Sequence, residues 1–291
     1  MLLGPHQASV YALATGASND VVFTAGGDNV VALWNALDGS QHPFGVKTEA
    51  TVYSLAFDPS SKILFIGCID GKLHAVNTIS MAEQKSWILD KNGIFDLKID
   101  AKRNRILAAG GNGVLTVIEA QTLKVLRSIP LSDGKLRRMA IHTDGDRIAI
   151  ADNHGEVHLL NAEDYSTIES IQTHKEGCTA VAWHPSKPVL LTGGKDGIVR
   201  CWNANTNYEQ VLQLAAHQST IYDIVYHEEA NQFVSCSRDK TIKWWDANTF
   251  DALRKVDSSS GGHKYSVNRI IIQGRLLISA SDDRGVLVFG A

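Results

Sequence analysis

An all-β chain folded as a single seven-bladed propeller, four antiparallel strands per blade, is predicted by three observations. The 291 residues repeat themselves at a period of about 42. Each period holds several short apolar runs separated by turn signals, the pattern of a small sheet. The length is used up by seven such periods, so one repeat architecture accounts for the whole sequence. No convincing amphipathic helix interrupts them.

The period is set by a recurring frame. Ser235-Cys236-Ser237-Arg238-Asp239 runs on to Trp245-Asp246, and the same frame reads Thr24 to Trp34 and Thr192 to Trp202. The Asp position falls at Asp28, Asp70, Asn112, His154, Asp196, Asp239 and Asp283, in steps of 42, 42, 42, 42, 43 and 44. The Trp position falls at Trp34, Val76, Ile118, Leu160, Trp202, Trp245 and Phe289, each large and apolar.

Unit five shows the internal order. Val181-Ala182-Trp183 is a strand, and His184 to Pro188 is a turn. Val189 to Thr192 is the next strand and Lys195-Asp196-Gly197 a tight turn. Ile198 to Trp202 is a third strand of alternating faces, and an outer strand follows near Gln210 to Leu214. Four strands in about 42 residues fit one blade. The units run over approximately 6–47, 48–89, 90–131, 132–173, 174–216, 217–262, and 263–291 plus 1–5.

Composition narrows the function. At 44% hydrophobic the chain builds a core and is not disordered. It has no run of eighteen apolar residues and no basic, apolar leader, so neither a spanning helix nor a secretory signal is expected. A net charge of −3 argues against nucleic acid as the primary ligand. Cys68, Cys178, Cys201 and Cys236 form no CxxC pair, which points to a reducing, cytoplasmic setting without disulfides or zinc.

The Ser-Cys-Ser-Arg-Asp to Trp-Trp-Asp pattern at 235–246, preceded by His217, resembles the WD-repeat β-propeller family. The resemblance extends over all seven units. It is tight in units one, five and six, partial in seven and weak in two to four. It implies that the N-terminus supplies the outer strand of the last blade. The last unit stops at Phe289-Gly290-Ala291 after its third strand, so Met1-Leu2-Leu3-Gly4 is the expected clasp and the weakest seam.

Three units hold a His, a hydroxyl, an Asp and a Trp in order. They are His6, Thr24, Asp28, Trp34; His174, Thr192, Asp196, Trp202; and His217, Ser235, Asp239, Trp245. Unit seven keeps His263, Ser279 and Asp283 with Phe289. The residue types suggest a hydrolase triad, but an enzyme needs one nucleophile in one open site, not a set in several blades. The same groups can satisfy one another: Asp with imidazole, imidazole with hydroxyl, hydroxyl with indole N–H. The resemblance implies the same structural tetrad. Units two to four lack it and are expected to rely on apolar packing alone.

The resemblance also implies a partner-binding rim on the top face, around the central channel. Its first position reads Tyr11, Tyr53, Phe95, Arg137, Thr179, Tyr222 and Asn268. Its second, just before the tetrad Asp, reads Gly27, Ile69, Gly111, Asn153, Lys195, Arg238 and Asp282. Lys135 and Arg138 flank Arg137. Aromatics and arginine are the usual interface anchors. The basic sector of blades four to six favours an acidic or phosphorylated segment.

Other signals carry less. His142, His184 and His227 occupy equivalent turns on the opposite face, a blade width apart, too far to converge on one zinc ion. His154 and His158 straddle a turn and read as solvated. Gly110-Gly111-Asn112-Gly113 lacks the Lys-Ser end of a phosphate loop. The sequence thus predicts a non-catalytic interaction scaffold that binds a peptide or protein segment, with no cofactor, metal or membrane, and a monomer on its own. The alternative is a propeller enzyme, or a sugar- or metabolite-binding propeller, with its site at the channel mouth. There the sequence offers only Asp96 and Asp223, each one residue past a rim position.

Overall fold

Strands of five to seven residues, and one of two, assemble in antiparallel register into seven four-stranded sheets. The fold is a seven-bladed β-propeller. The structure, a computed structural model, describes residues 1–4 and 6–290. Pro5 and Ala291, which fall in the seventh unit's expected limits, lie outside them. The contacts group into two compact units, Met1–Lys135 with Ile271–Ala291, and Leu136–Ile270.

Blade one shows how sequence sets each strand. Val10–Thr15, Val21–Gly26, Val30–Asn35 and Gln41–Lys47 follow one another through the sheet. Second strands read as unbroken apolar runs because neighbouring sheets cover both their faces; all six residues of Ile63–Cys68 are buried. Outer strands face water, and Val125–Pro130 is almost wholly exposed. The core is a series of clusters shared between successive blades. Phe23, Val31 and Phe44 of blade one meet Phe57, Leu64 and Ile66 of blade two. In the second unit Leu159 meets Trp183 and Trp202 in the same way.

The turn from second to third strand needs a left-handed residue at one register. Asn29, Gly71, Gly113, Gly155, Gly197, Lys240 and Arg284 hold it, with φ of +63°, +81°, +79°, +94°, +74°, +72° and +70°. Glycine takes four of these places because it lacks the Cβ that this conformation crowds.

The seventh sheet has its outer strand supplied by Leu2–Leu3. The ladder is two residues long, Leu2 facing Leu287 and Leu3 facing Val286. Val288 N donates to Met1 O at 2.8 Å, and Met1 N donates back to Val288 O at 2.9 Å. Leu3 is fully buried in a cluster with Val10, Leu13, Trp34 and Val286. Gly4 follows because the Trp34 indole covers it: a Cβ there would lie 2.6 Å from Trp34 Cη2. Leu3→Ala removes the apolar anchor of this ladder and is expected to cost about 3 kcal/mol. Urea denaturation measures it, and wild-type stability in that variant would mean the clasp carries no load.

The four cysteines are buried and unpaired. Burial pushes the Cys68 and Cys178 thiols up to about 12 and Cys201 to about 11. They are packing residues and not nucleophiles, since reactivity requires the thiolate.

Candidate functional site: bulged first strands and polar ties

The first and second strands of six blades are out of step at one place. The register shifts between Val10 and Ala12, Val52 and Ser54, Ile94 and Asp96, Leu136 and Arg138, Cys178 and Ala180, and Ile221 and Asp223. The residues skipped are Tyr11, Tyr53, Phe95, Arg137, Thr179 and Tyr222. A β-bulge leaves its extra residue out of the ladder and re-aims the side chain. The repeat register had selected these positions; the bulge is the physical reason they differ from their neighbours. Asn268 is half-buried at the corresponding place in blade seven.

In the first unit the bulged side chains touch. The Tyr11 and Tyr53 rings stack at 4.8 Å and 3° between planes. Tyr53 meets Phe95 edge-on at 5.5 Å and 61°. Lys135 Nζ lies 5.1 Å from the Phe95 centroid. Tyr11 and Tyr53 are half-buried and Phe95 is buried. Two rim glycines make room: a Cβ on Gly111 would stand 2.9 Å from Phe95 Cε2, and one on Gly27 3.7 Å from Tyr11 Cε2. Aromatic pairs of this geometry are worth ~1 kcal/mol beyond the area they bury, so the three rings hold one another in place.

In the second unit Arg137 and Tyr222 are half-buried, and Lys195 and Arg238 are exposed. Thr179 corrects the expected rim. It is buried, and its hydroxyl donates to Ile221 O at 2.5 Å, tying the first strands of blades five and six. Asp223 is not an open acid either. Arg138 Nε lies 3.7 Å from Asp223 Oδ1 and Arg269 Nε 3.4 Å from Oδ2, while Ile270 N donates to Oδ2 at 3.3 Å. Both of its oxygens are thus engaged by groups of neighbouring strands. Asp96 is also buried, in the first unit.

The His, hydroxyl, Asp and Trp sets meet within their blades. Trp34 Nε1 donates to Thr24 Oγ1 at 2.9 Å, so the hydroxyl proton goes to His6 Nε2 at 2.7 Å, and His6 Nδ1 keeps its own proton for Asp28 Oδ2 at 2.8 Å. In blade five Trp202 and His174 Nε2 both stand 3.0 Å from Thr192 Oγ1, and His174 Nδ1 is 3.0 Å from Asp196 Oδ1. In blade six the distances are 2.9 Å for Trp245 to Ser235 Oγ, 2.8 Å for His217 Nε2 to Ser235 Oγ and 3.0 Å for His217 Nδ1 to Asp239 Oδ2. Each hydroxyl lies between an indole and an imidazole, both buried, and the residue that carries it is itself fully buried. In blade seven His263 and Ser279 are buried, Ser279 Oγ donates to Leu287 O at 3.4 Å and Asp283 accepts from Gly285 N at 3.0 Å.

Blades two to four do not rely on apolar packing alone. Thr48 takes the His position in blade two, and its hydroxyl donates to Ala50 O at 2.8 Å. Asp90 takes it in blade three and accepts from Asn112 N at 2.9 Å and Asn92 N at 2.8 Å. In blade four Asp152 accepts from His154 N and Glu156 N, both at 2.9 Å, and faces His158 Nε2 at 3.3 Å. His158 is therefore buried, not solvated; His154 is exposed. Asp152, Glu156 and His158 are the one trio of metal-ligand atoms within 4.8 Å among the described residues. Asp152 Oδ1 in it is already committed to the turn, and Oδ2 faces His158 Nε2. His184 and His227 line one cavity of about 50 Å³ with Tyr226.

No helix of the described residues is long and apolar enough to cross a membrane. The profile of the family described as "WD domain, G-beta repeat" matches residues 2–35, 41–75, 165–203 and 208–246, just over half of the chain. Nuclear distribution protein PAC1 of Candida dubliniensis is 30% identical over 117 residues, 38% of this chain and 23% of that protein. Striatin-3 of Bos taurus is 28% identical over 87 residues, 26% of this chain and 11% of that protein. The chain thus aligns with less than a quarter of the length of either relative. Three matched segments end at the third-strand positions Asn35, Asn203 and Asp246, one residue past the tetrad tryptophans, and on that evidence the chain belongs to the WD-repeat family.

Proposed function

We propose that this chain is a non-catalytic interaction module that binds a protein segment over the bulged first-strand residues, with the Tyr11–Tyr53–Phe95 ladder as its anchor. The observation that carries the reading is the bulge repeated in six blades, which takes these side chains out of the sheet at one register. A rigid aromatic surface loses little freedom on binding, so more of the contact energy becomes affinity. In the second unit Arg137, Lys195 and Arg238 favour a segment that carries acidic residues. The unpaired cysteines support a cytoplasmic setting, and the reading is of a monomer that holds partners on separate chains.

The test is affinity capture with the intact chain, read by quantitative mass spectrometry. The double variant Tyr11→Ala/Tyr53→Ala is expected to lose at least about 2 kcal/mol of binding, roughly thirtyfold, as central aromatic anchors do. Arg137→Glu is expected to weaken the acidic partners selectively. Thr179→Ala is expected to lower thermal stability and leave the captured set unchanged. Equal recovery by the double variant and wild type sinks the assignment.

A further inference from the structure

Blade six carries two lysines where a sheet disfavours them. Lys243 of the third strand and Lys255 of the outer strand face each other in register. Like charges directly opposite are destabilising. Both line a concavity of about 300 Å³ with Lys240, Ser258 and Ser259. Burial pushes the Lys243 ammonium down; Asp239 works against that and Lys255 adds to it.

Lys240 is placed at a cost as well. It holds the left-handed turn register, φ +72°, that glycine takes in four other blades. Arg284 is the other cation kept there.

The two acids of the concavity are already committed. Asp239 accepts from Gln218 N at 3.0 Å and Thr241 Oγ1 at 2.6 Å and lies 3.0 Å from His217 Nδ1. Asp257 accepts from Ser259 N at 3.0 Å and Ser259 Oγ at 2.6 Å, and pairs with Lys255 at 2.9 Å. Lys243 Nζ donates to Ala216 O at 2.5 Å. Three ammonium groups therefore share a hollow with two carboxylates, of which Asp257 holds Lys255 and Asp239 holds other donors, so positive charge is in excess there.

We propose that this concavity is a binding site for a phosphate-class dianion, held by Lys240, Lys243 and Lys255 with the Ser258 hydroxyl. A dianion between Lys243 and Lys255 turns their repulsion into attraction, and charge-assisted hydrogen bonds are the strong ones. The hollow is large enough for a phosphoryl group on a side chain, which makes a phosphorylated segment and free phosphate the two sources of the same chemistry. The site is independent of the aromatic ladder.

The experiment is an amide chemical-shift titration of the intact chain at pH 8. The probes are inorganic phosphate and a capped phosphoserine tripeptide, each against sodium chloride at matched ionic strength. Saturable shifts are expected at 241–243 and 258–260. Lys255→Met, exposed on an outer strand, is expected to weaken them at least tenfold while the fold holds; Lys243→Met is expected to do the same and to raise the melting temperature. At least tenfold tighter binding of the tripeptide assigns the site to a phosphorylated partner. Equal binding assigns it to the free ion, and either result supports the site. No saturable shift with either probe, or shifts unchanged in both variants, overturns it.

Discussion

Gly71→Ala is expected to unfold the chain or cost more than about 4 kcal/mol, the range reserved for changes with a named mechanism. Two effects add. The residue sits at φ +81°, where an L side chain costs ~1–2 kcal/mol. The larger effect is contact: a Cβ would lie 1.1 Å from Asp90 O and 2.2 Å from Asp90 C. Both are backbone atoms, so no rotamer change relieves them and the segment leading into blade three has to move. That segment is already fixed by Leu89 N donating to Gly71 O at 2.9 Å. Gly155→Ala repeats the experiment in the second unit, where a Cβ would lie 1.5 Å from His174 O. Gly261→Ala separates the two effects, because φ is +83° there but nothing lies within 4 Å. Denaturant midpoints check the series. If Gly71→Ala falls no further than Gly261→Ala, close approach is not the cause.

Asp239→Ala is expected to cost about 3 kcal/mol, as the loss of one partner of a buried pair does. The carboxylate is the acceptor for Gln218 N, Thr241 N and Thr241 Oγ1, and it faces His217 Nδ1. Removing it leaves those donors without their acceptor beside a fully buried imidazole. The same pair gives stability a pH dependence. Burial holds His217 and His174 below the usual imidazole value despite their aspartates. The unfolded chain therefore binds those protons first, and stability falls as pH drops below about 6.5. Burial opposes ionisation of Asp239 and Asp196, but hydrogen bonds from His217 and Thr241, and from His174 and Arg200, outweigh it and hold both well below the usual range. Their contribution is complete above the ordinary carboxylate value and is lost as pH falls through the depressed one. Melting temperature is expected to decline from pH 7 to 5 and to fall again below 4, with the second fall shallower in Asp239→Ala. A flat profile over pH 3–7 contradicts it.

The fold was legible because each unit repeats both a period and a grammar. Glycine or Asn at the turn, apolar second strands and the spaced Asp and Trp all report on local geometry. The tetrads were legible for the same reason: their partners sit at fixed offsets inside one blade. Register alone could not separate Thr179 from Tyr53. Both occupy the bulge, but a short β-branched hydroxyl reaches a neighbouring carbonyl, and a phenol does not. The polar ties of blades two to four were missed because Asp90 and Thr48 replace the histidine with different chemistry at the same place. Asp152 and His158 lie two positions off the expected frame. The lysine pair of blade six was invisible without strand register, since Lys243 and Lys255 are close only across the ladder.

The pairing of Leu2 and Leu3 with Leu287 and Val286 also orders events in time. The residues that finish the seventh sheet are made well before their partners. Blades one to six can each close on strands already made, through contacts local in sequence. The Leu2–Leu3 edge, with the fully apolar Leu3 side chain, has to stay unpaired through almost the whole of synthesis. Contacts of this sequence separation are slow to form and leave apolar surface open to aggregation meanwhile. Among the described strands Leu2–Leu3 thus waits longest for its partner, and the seal at Leu3 forms only after the six intervening blades have been made.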